Sequence, residues 1–382
     1  MKPSLVSLLL LVPAALAAAP LYQVVDLGSL GGSYASINGI NASGQTVGTA
    51  TDMFGNLHAV FSSGGQVSSL AINALGAAIN DAGQMAGTRY ANGQAYATQW
   101  DGASSRTLSG PGSYGMGINQ AGQVAGMTSD GHAFLSSASG DVADLGTLAG
   151  GTWTAAYDVN NARQVAGYGL SYGGFRGFLW DATGGFTTLG TLGGKNSYAT
   201  AVNDAGLVSG HAQLASGYLH ATLWDHGAAK DLGTLGGGSS YAYDVNSSGQ
   251  AVGYSWTSGG VEHAFLYQNG LLLDLNNLVG PSSGWVLTSA YALNDNGQIG
   301  GSGYWNGEQR AFRLDLVNSS PAPAFAPLQV AGQVAGVTAS SVPEPGTWWM
   351  MLAACAFCAA RSHRLYRLPR SWISLKLRPR DT

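Results

Sequence analysis

Charge is what this sequence has least of. Only 9% of its 382 residues are Asp, Glu, Lys or Arg, against about 25% in ordinary soluble proteins. The deficit is deepest on the basic side. Residues 20 to 340 carry eight Lys or Arg against eighteen Asp or Glu, a net −10. A nucleic-acid surface needs a basic face to meet phosphates, so the composition excludes nucleic acid as a partner of this region. Cysteine is nearly as scarce. Cys355 and Cys358 are the only two, both near the C-terminus. The preceding region is therefore held by its core, without disulfides. The CxxC spacing of that pair lies in an apolar run with no second pair, and reads as two incidental side chains.

Glycine is abundant instead, 58 of 382, about twice the usual share of roughly 7%. Gly takes positive φ at no steric cost. Such a chain suits short strands and tight turns, and few helices are expected. The ends differ from the rest. Residues 1–19 carry one Lys, an apolar run and then small residues, the order of a secretory signal peptide. Ala15-Leu16-Ala17 supplies a small-x-small cleavage site, and export is expected.

The stretch Gly190-Thr-Leu-Gly-Gly-Lys195-Asn-Ser197 approaches a phosphate-binding loop, but does not meet G-x-x-x-x-G-K-[ST]. The first Gly is one residue too close, and Asn196 stands where a hydroxyl belongs. Internal repetition explains it better. The phrase apolar-Asn-x-x-Gly-Gln-x-x-Gly recurs seven times, anchored on Asn41, Asn80, Asn119, Asn160, Asn203, Asn246 and Asn294. A second phrase of the type His-Ala-Phe-Leu-Trp follows each anchor. A third, Asp-Leu-Gly-Thr-Leu-Gly-Gly, follows that. "GTLGGKNS" is one copy of this third phrase, and Lys195 is the only Lys in any copy.

Each unit reads as four short strands, a to d, with an Asn-x-x-Gly turn between a and b. Strand d is expected to be the apolar run before Asp-Leu-Gly. Four strands per roughly 40 to 45 residues is the unit of a β-propeller blade. The array begins with a lone strand d in Tyr22–Gly28, and ends with strands a, b and c but no convincing d. The expected fold is thus all-β, a seven-bladed β-propeller closed by pairing the N-terminal strand with the last blade, which leaves no raw edge. The domain reading is a signal peptide at 1–19, the propeller at 20–316, a Pro/Ala/Ser-rich linker at 317–341 and a C-terminal segment at 342–382. A solenoid is the alternative, but no capping repeats are present.

Together the three phrases resemble the HAF-repeat family of bacterial extracellular proteins, across roughly residues 22 to 316. The resemblance implies location and architecture, not a reaction. The C-terminus resembles a PEP-CTERM sorting signal. Val342-Pro343-Glu344-Pro345-Gly346 precedes an apolar run, Thr347 to Ala360, and then Arg361. The resemblance implies recognition of Pro343, Glu344 and Pro345 by an exosortase-type enzyme, with the apolar segment as a transient membrane helix that is removed. It also implies a setting of extracellular polysaccharide. The fourteen-residue run is short of the about 20 that a full span needs. The Arg-rich flank suits a cytoplasmic side.

No cofactor or metal motif stands out. His58, His132, His220 and His263 open strand c in four units, and Asp26, Asp144, Asp231 and Asp274 recur before Leu. Such repetition points to a local structural need. Asn294-Asp-Asn-Gly lacks the alternating acids and closing Glu of a calcium loop. The unrepeated ionisable residues, His211, His226, Asp52, Asp130, Asp141, Glu262 and Glu308, show no catalytic order. The candidate contacts are aromatic: Tyr34, Tyr114, Trp153, Tyr198, Tyr241 and Trp285, just before or within strand a. Near one mouth of the channel they either pack between blades or meet a sugar ring. The expectation is an exported, non-catalytic binding or structural module associated with extracellular polysaccharide. The alternative is a carbohydrate-active enzyme with paired acids contributed by different blades.

Overall fold

The computed structural model describes residues 21–317. These form twenty-eight strands and one short 3-10 helix, Leu275–Asn277. The strands sort into seven four-stranded antiparallel sheets, a seven-bladed β-propeller. Blade 5 shows the pattern: strand a is Gly193–Val202, b is Val208–Leu214, c is Leu219–Asp225 and d is Ala228–Asp231. In blade 7 the outer position is taken by the N-terminal strand, Tyr22–Gly28, antiparallel to Glu308–Leu316. Val317 donates to the Leu21 carbonyl at 3.0 Å, so the chain enters and leaves the propeller at one point. The residues expected to form the sorting motif, Val342 to Gly346 and Arg361, lie outside the described residues, as do the expected signal peptide and the apolar run 347–360.

Strand d runs further than the apolar pattern suggests. It includes the Asp of Asp-Leu-Gly in Val142–Gly146 and Ala228–Asp231. That Asp side chain accepts from the amide two residues on: Asp144 from Gly146 at 2.7 Å, Asp231 from Gly233 at 2.8 Å. The connector is thereby turned at the strand's end.

Every strand a carries a register slip at the same place, between the residues four and two before the anchor Asn, as at Ala199/Ala201 and Ala242/Asp244. The slip is a β-bulge, which bends the inner strand around the channel. It also explains the last Gly of the repeat phrase. A Cβ on Gly210 would overlap the Tyr198 carbonyl oxygen, and one on Gly253 the Tyr241 carbonyl.

The core is distributed between blades. Leu223 and Leu232 of blade 5 pack against Ala242, Val245 and Phe265 of blade 6. The strand c phenylalanines Phe134, Phe178, Phe265 and Phe312 are fully buried. A polar link joins the same layers. Ser240 Oγ donates to the Gly233 carbonyl and accepts from the Ala221 amide of blade 5. Ser197 and Thr154 do the same one and two positions back around the ring.

Candidate functional site

The propeller has two faces, set by strand direction. The a–b turns close one mouth. There, each anchor Asn donates its side-chain amide to the backbone carbonyl of the next anchor Asn, from Asn41 to Asn80 at 3.1 Å and onward to Asn294 to Asn41 at 2.9 Å. Its Oδ1 accepts the amide four residues on, as Asn160 does from Gln164 at 2.8 Å. A depression of about 220 Å³ is lined by this ring. The repeated Asn and Gln are thus consumed in holding the ring together.

The b–c loops and d–a connectors form the opposite face. The six aromatic residues singled out in the sequence do not share one position there. Tyr114, Tyr198 and Tyr241 stand five residues before the anchor, Tyr34 and Trp153 seven, and Trp285 nine. Tyr34 and Tyr198 are buried, and the other four are half-buried. Tyr34 donates to Ser36 Oγ at 2.8 Å. The Trp285 ring meets Phe312 edge-on at 6.0 Å.

Three of the six join a continuous aromatic arc. Trp153 meets Tyr168 at 5.6 Å, Tyr168 meets Tyr198 at 5.0 Å, and Tyr198 stacks on His211 at 4.9 Å. His211 then meets Tyr241 at 4.9 Å, and Tyr241 stacks on Tyr254 at 4.8 Å. Tyr243 continues the arc to Tyr254 at 5.9 Å and to Tyr291 at 5.1 Å. The arc crosses blades 4, 5, 6 and 7. In blade 1 the positions of Tyr198, Thr200 and His211 hold Ser36, Asn38 and Thr49, and in blade 2 Leu75, Ala77 and Thr88.

The same half of the ring carries exposed rings on its loops and loop-proximal strand ends. Tyr172 in blade 4 is 79% exposed, Tyr218 in blade 5 56%, Trp256 in blade 6 37% and Tyr304 in blade 7 45%. Blade 1 adds Phe54 at 82%, beside Met53. The sequence reading missed these, and missed the strand b partners Tyr168 and Tyr254. One signal was present: Tyr-Asp-Val-Asn occurs twice, at 157 and 243, outside the common repeat pattern.

Burial holds the arc uncharged. It pushes the Tyr198, Tyr241 and Tyr254 hydroxyls up, and it pushes His211 down to about 3. The His211 Nδ1 has no hydrogen-bond partner.

Asp158 and Asp244, also missed, sit two residues before their anchors. Asp158 accepts from the Val159 and Val202 amides at 2.8 and 2.9 Å. Asp244 accepts from Val245 and Leu293, both at 2.7 Å. Each carboxylate thus ties its blade to a following one. Burial raises them to about 7 and about 6.

The repeated His residues bind locally. His132 reaches Asp144 at 2.9 Å, His220 reaches Asp231 at 2.9 Å and His263 reaches Asp274 at 2.7 Å. His58 meets Ser69 at 2.7 Å and Asp52 at 3.2 Å. In blade 7 Arg310 takes the His position and meets Asp26 at 2.6 Å. Among the described residues no group of three or more His, Cys, Asp or Glu is placed to hold a metal.

Compared by sequence, the chain matches no protein-family model and no curated protein. Compared by structure, it is similar to a puromycin hydrolase mutant, with TM-score 0.50 and 16% identity over 74% of this chain and 52% of that one. It is also similar to TolB from Acinetobacter baumannii, with TM-score 0.44 and 13% identity over 56% and 57% of the two chains. A gluconolactonase from Xanthomonas campestris gives TM-score 0.43 and 13% identity over 79% and 93%. The chain spans a little over half the length of the first two. At these identities the likeness is one of fold.

Proposed function

We propose that this is an exported, non-catalytic glycan-binding propeller, which meets extracellular polysaccharide with its loop face and is sorted through its PEP-CTERM-like C-terminus by an exosortase-type enzyme. The observation that carries the reading is the asymmetry of the aromatic residues. In a ring of near-equal blades, repeated residues serve the ring. Departures concentrated in one half serve something outside it. Here the continuous chain of ring contacts and one exposed ring per blade fall on blades 4 to 7, while Phe54 stands apart on blade 1. Aromatic faces bordered by Ser, Thr, Asn and Gly suit sugar rings, which are apolar on their faces and hydroxylated at their edges.

Proton-transfer catalysis is poorly served by this arc. A general acid or base works best with a value near the operating pH, whereas burial fixes these Tyr and His side chains in their neutral forms. Asp158 and Asp244 do have shifted values, but both oxygens of each accept main-chain amides. Their placement is that of a structural tie.

The test is retention of the purified protein on the producing cell's own extracellular polysaccharide, with polymer length followed in parallel. Retention with unchanged length is the expected result. Shortening of the polymer would replace this reading with the carbohydrate-active enzyme.

A further inference from the structure

The loop face has a direction as well as a composition, and this deepens the glycan reading, on which it rests. Tyr172, Tyr218, Trp256 and Tyr304 belong to four consecutive blades, one exposed ring each. All four sit in a b–c loop or at the end of strand b that leads into it. Two are placed by contact with backbone: the Tyr172 ring lies over Gly150, and the Tyr218 ring lies against Gly238 of the next blade. A ring fixed in this way loses little conformational freedom on binding. Facing sheets stack about 10 Å apart, so three blade-to-blade steps make a curved path of roughly 30 Å from the first ring to the last.

Charge narrows the ligand further. The charged residues of blades 4 to 7 near this face are the basic Arg176, Lys195 and Arg310 and the acidic Asp26, Asp231, Glu262, Asp274 and Glu308. Arg310 is paired with Asp26, and Arg176 donates to the Phe175 carbonyl. Acids outnumber bases on this face, so it carries no positive field that would draw a polyanion.

We infer that the ligand is an extended, uncharged glycan chain that follows the arc of blades 4 to 7, meeting Tyr172, Tyr218, Trp256 and Tyr304 in turn. Binding is to internal stretches of the polymer, and no chain end is required. The separate contacts reinforce one another because each raises the local concentration for the next.

The experiment uses the full-length protein and fragments of the producing cell's extracellular polysaccharide, sized from the disaccharide to the dodecasaccharide, with alginate as an anionic control. Affinity is expected to climb with fragment length and level off once four rings are spanned. Tyr172→Ala, Tyr218→Ala, Trp256→Ala and Tyr304→Ala each lower the plateau by about tenfold, whereas Phe54→Ala does not. All five side chains are exposed, so an unchanged unfolding midpoint confirms that each variant keeps its fold. Equal affinity for the disaccharide and the longest fragment would overturn the extended track while leaving the glycan reading in place. Tighter, salt-sensitive binding of alginate would overturn the uncharged ligand. Failure of the polymer itself to bind would remove the underlying reading, and capture of a protein instead would replace it.

Discussion

The side-chain amide of Asn294 donates to the backbone carbonyl of Asn41 at 2.9 Å, across 253 positions of sequence. This bond completes a circle of seven, one from each blade to the next. Each anchor Asn therefore serves its own turn and its neighbour's at once. Asn203 illustrates the load: it donates to Asn246 and accepts from the Ala205 and Leu207 amides. Removing one partner of a buried hydrogen bond costs about 1–3 kcal/mol for the group left behind. Asn203→Ala is expected to cost about 2–3 kcal/mol in urea unfolding. A loss below about 0.5 kcal/mol, the level of an ordinary surface change, would contradict the structural role of the ring.

Closure makes the N-terminal strand part of the last blade's core. Leu27 is fully buried and packs with Ala35, Ile37 and Val60 of blade 1 and Ala311 of blade 7. Leu27→Ala is expected to cost about 2–5 kcal/mol. Denaturant unfolding of this variant beside Leu314→Ala, in the partner strand, checks it. A small loss for Leu27→Ala alone would mean that the ring holds without its closing strand.

Six of the seven a–b turns place Gly at positive φ, between 73° and 80°. The seventh places Arg163 at φ 62°. A left-handed conformation costs a non-Gly residue about 1–2 kcal/mol, part of which Gly returns through its freer unfolded chain. Arg163→Gly is therefore expected to stabilise by about 0.5–1 kcal/mol. A lower unfolding midpoint in this variant would show that the guanidinium contributes more than the turn costs.

Asp158 and Asp244 predict a pH dependence with a definite sign. Burial lifts their folded values from 3.8 to about 7 and about 6. Between the unfolded and folded values the native chain binds more protons than the unfolded one, so stability falls as pH rises. Their contribution is fully present below about pH 4 and lost by about pH 7. Asp158→Asn with Asp244→Asn should flatten the fall in urea midpoint between about pH 4 and pH 7. It should also cost stability at every pH, about 1–3 kcal/mol per site, because the Asn amide nitrogen cannot accept the second main-chain N–H that each carboxylate accepts. Equal slopes of urea midpoint against pH in the two proteins would rule this out.

The blade count, the closure and the turn type were all legible in the sequence, because each rests on local physics repeated seven times. An Asn-x-x-Gly turn, an alternating strand and a lone leading strand d carry their meaning without knowledge of the neighbours. The His that opens strand c in four blades was legible as a structural residue for the same reason, though its partner was not: His220 and Asp231 lie eleven positions apart and meet only once strands c and d pair.

What tertiary structure alone decided is which departures from the repeat stand together. Tyr168 and Tyr198 are thirty positions apart and in different blades, and nothing local marks them as neighbours. Their 5.0 Å contact follows from the stacking of blade 4 on blade 5. Tyr34, Trp153 and Tyr198 look equivalent as aromatics near strand a, yet Trp153 and Tyr198 join the arc through Tyr168, while Tyr34 turns to Ser36 of its own strand. Asp158 and Asp244 look like ordinary acids in a polar turn. Only the approach of a later blade's amides, Val202 and Leu293, turns them into buried ties. Sequence determines the blade because its interactions are short-range. The aromatic half of the ring is set by contacts between blades, which exist only after the ring has closed.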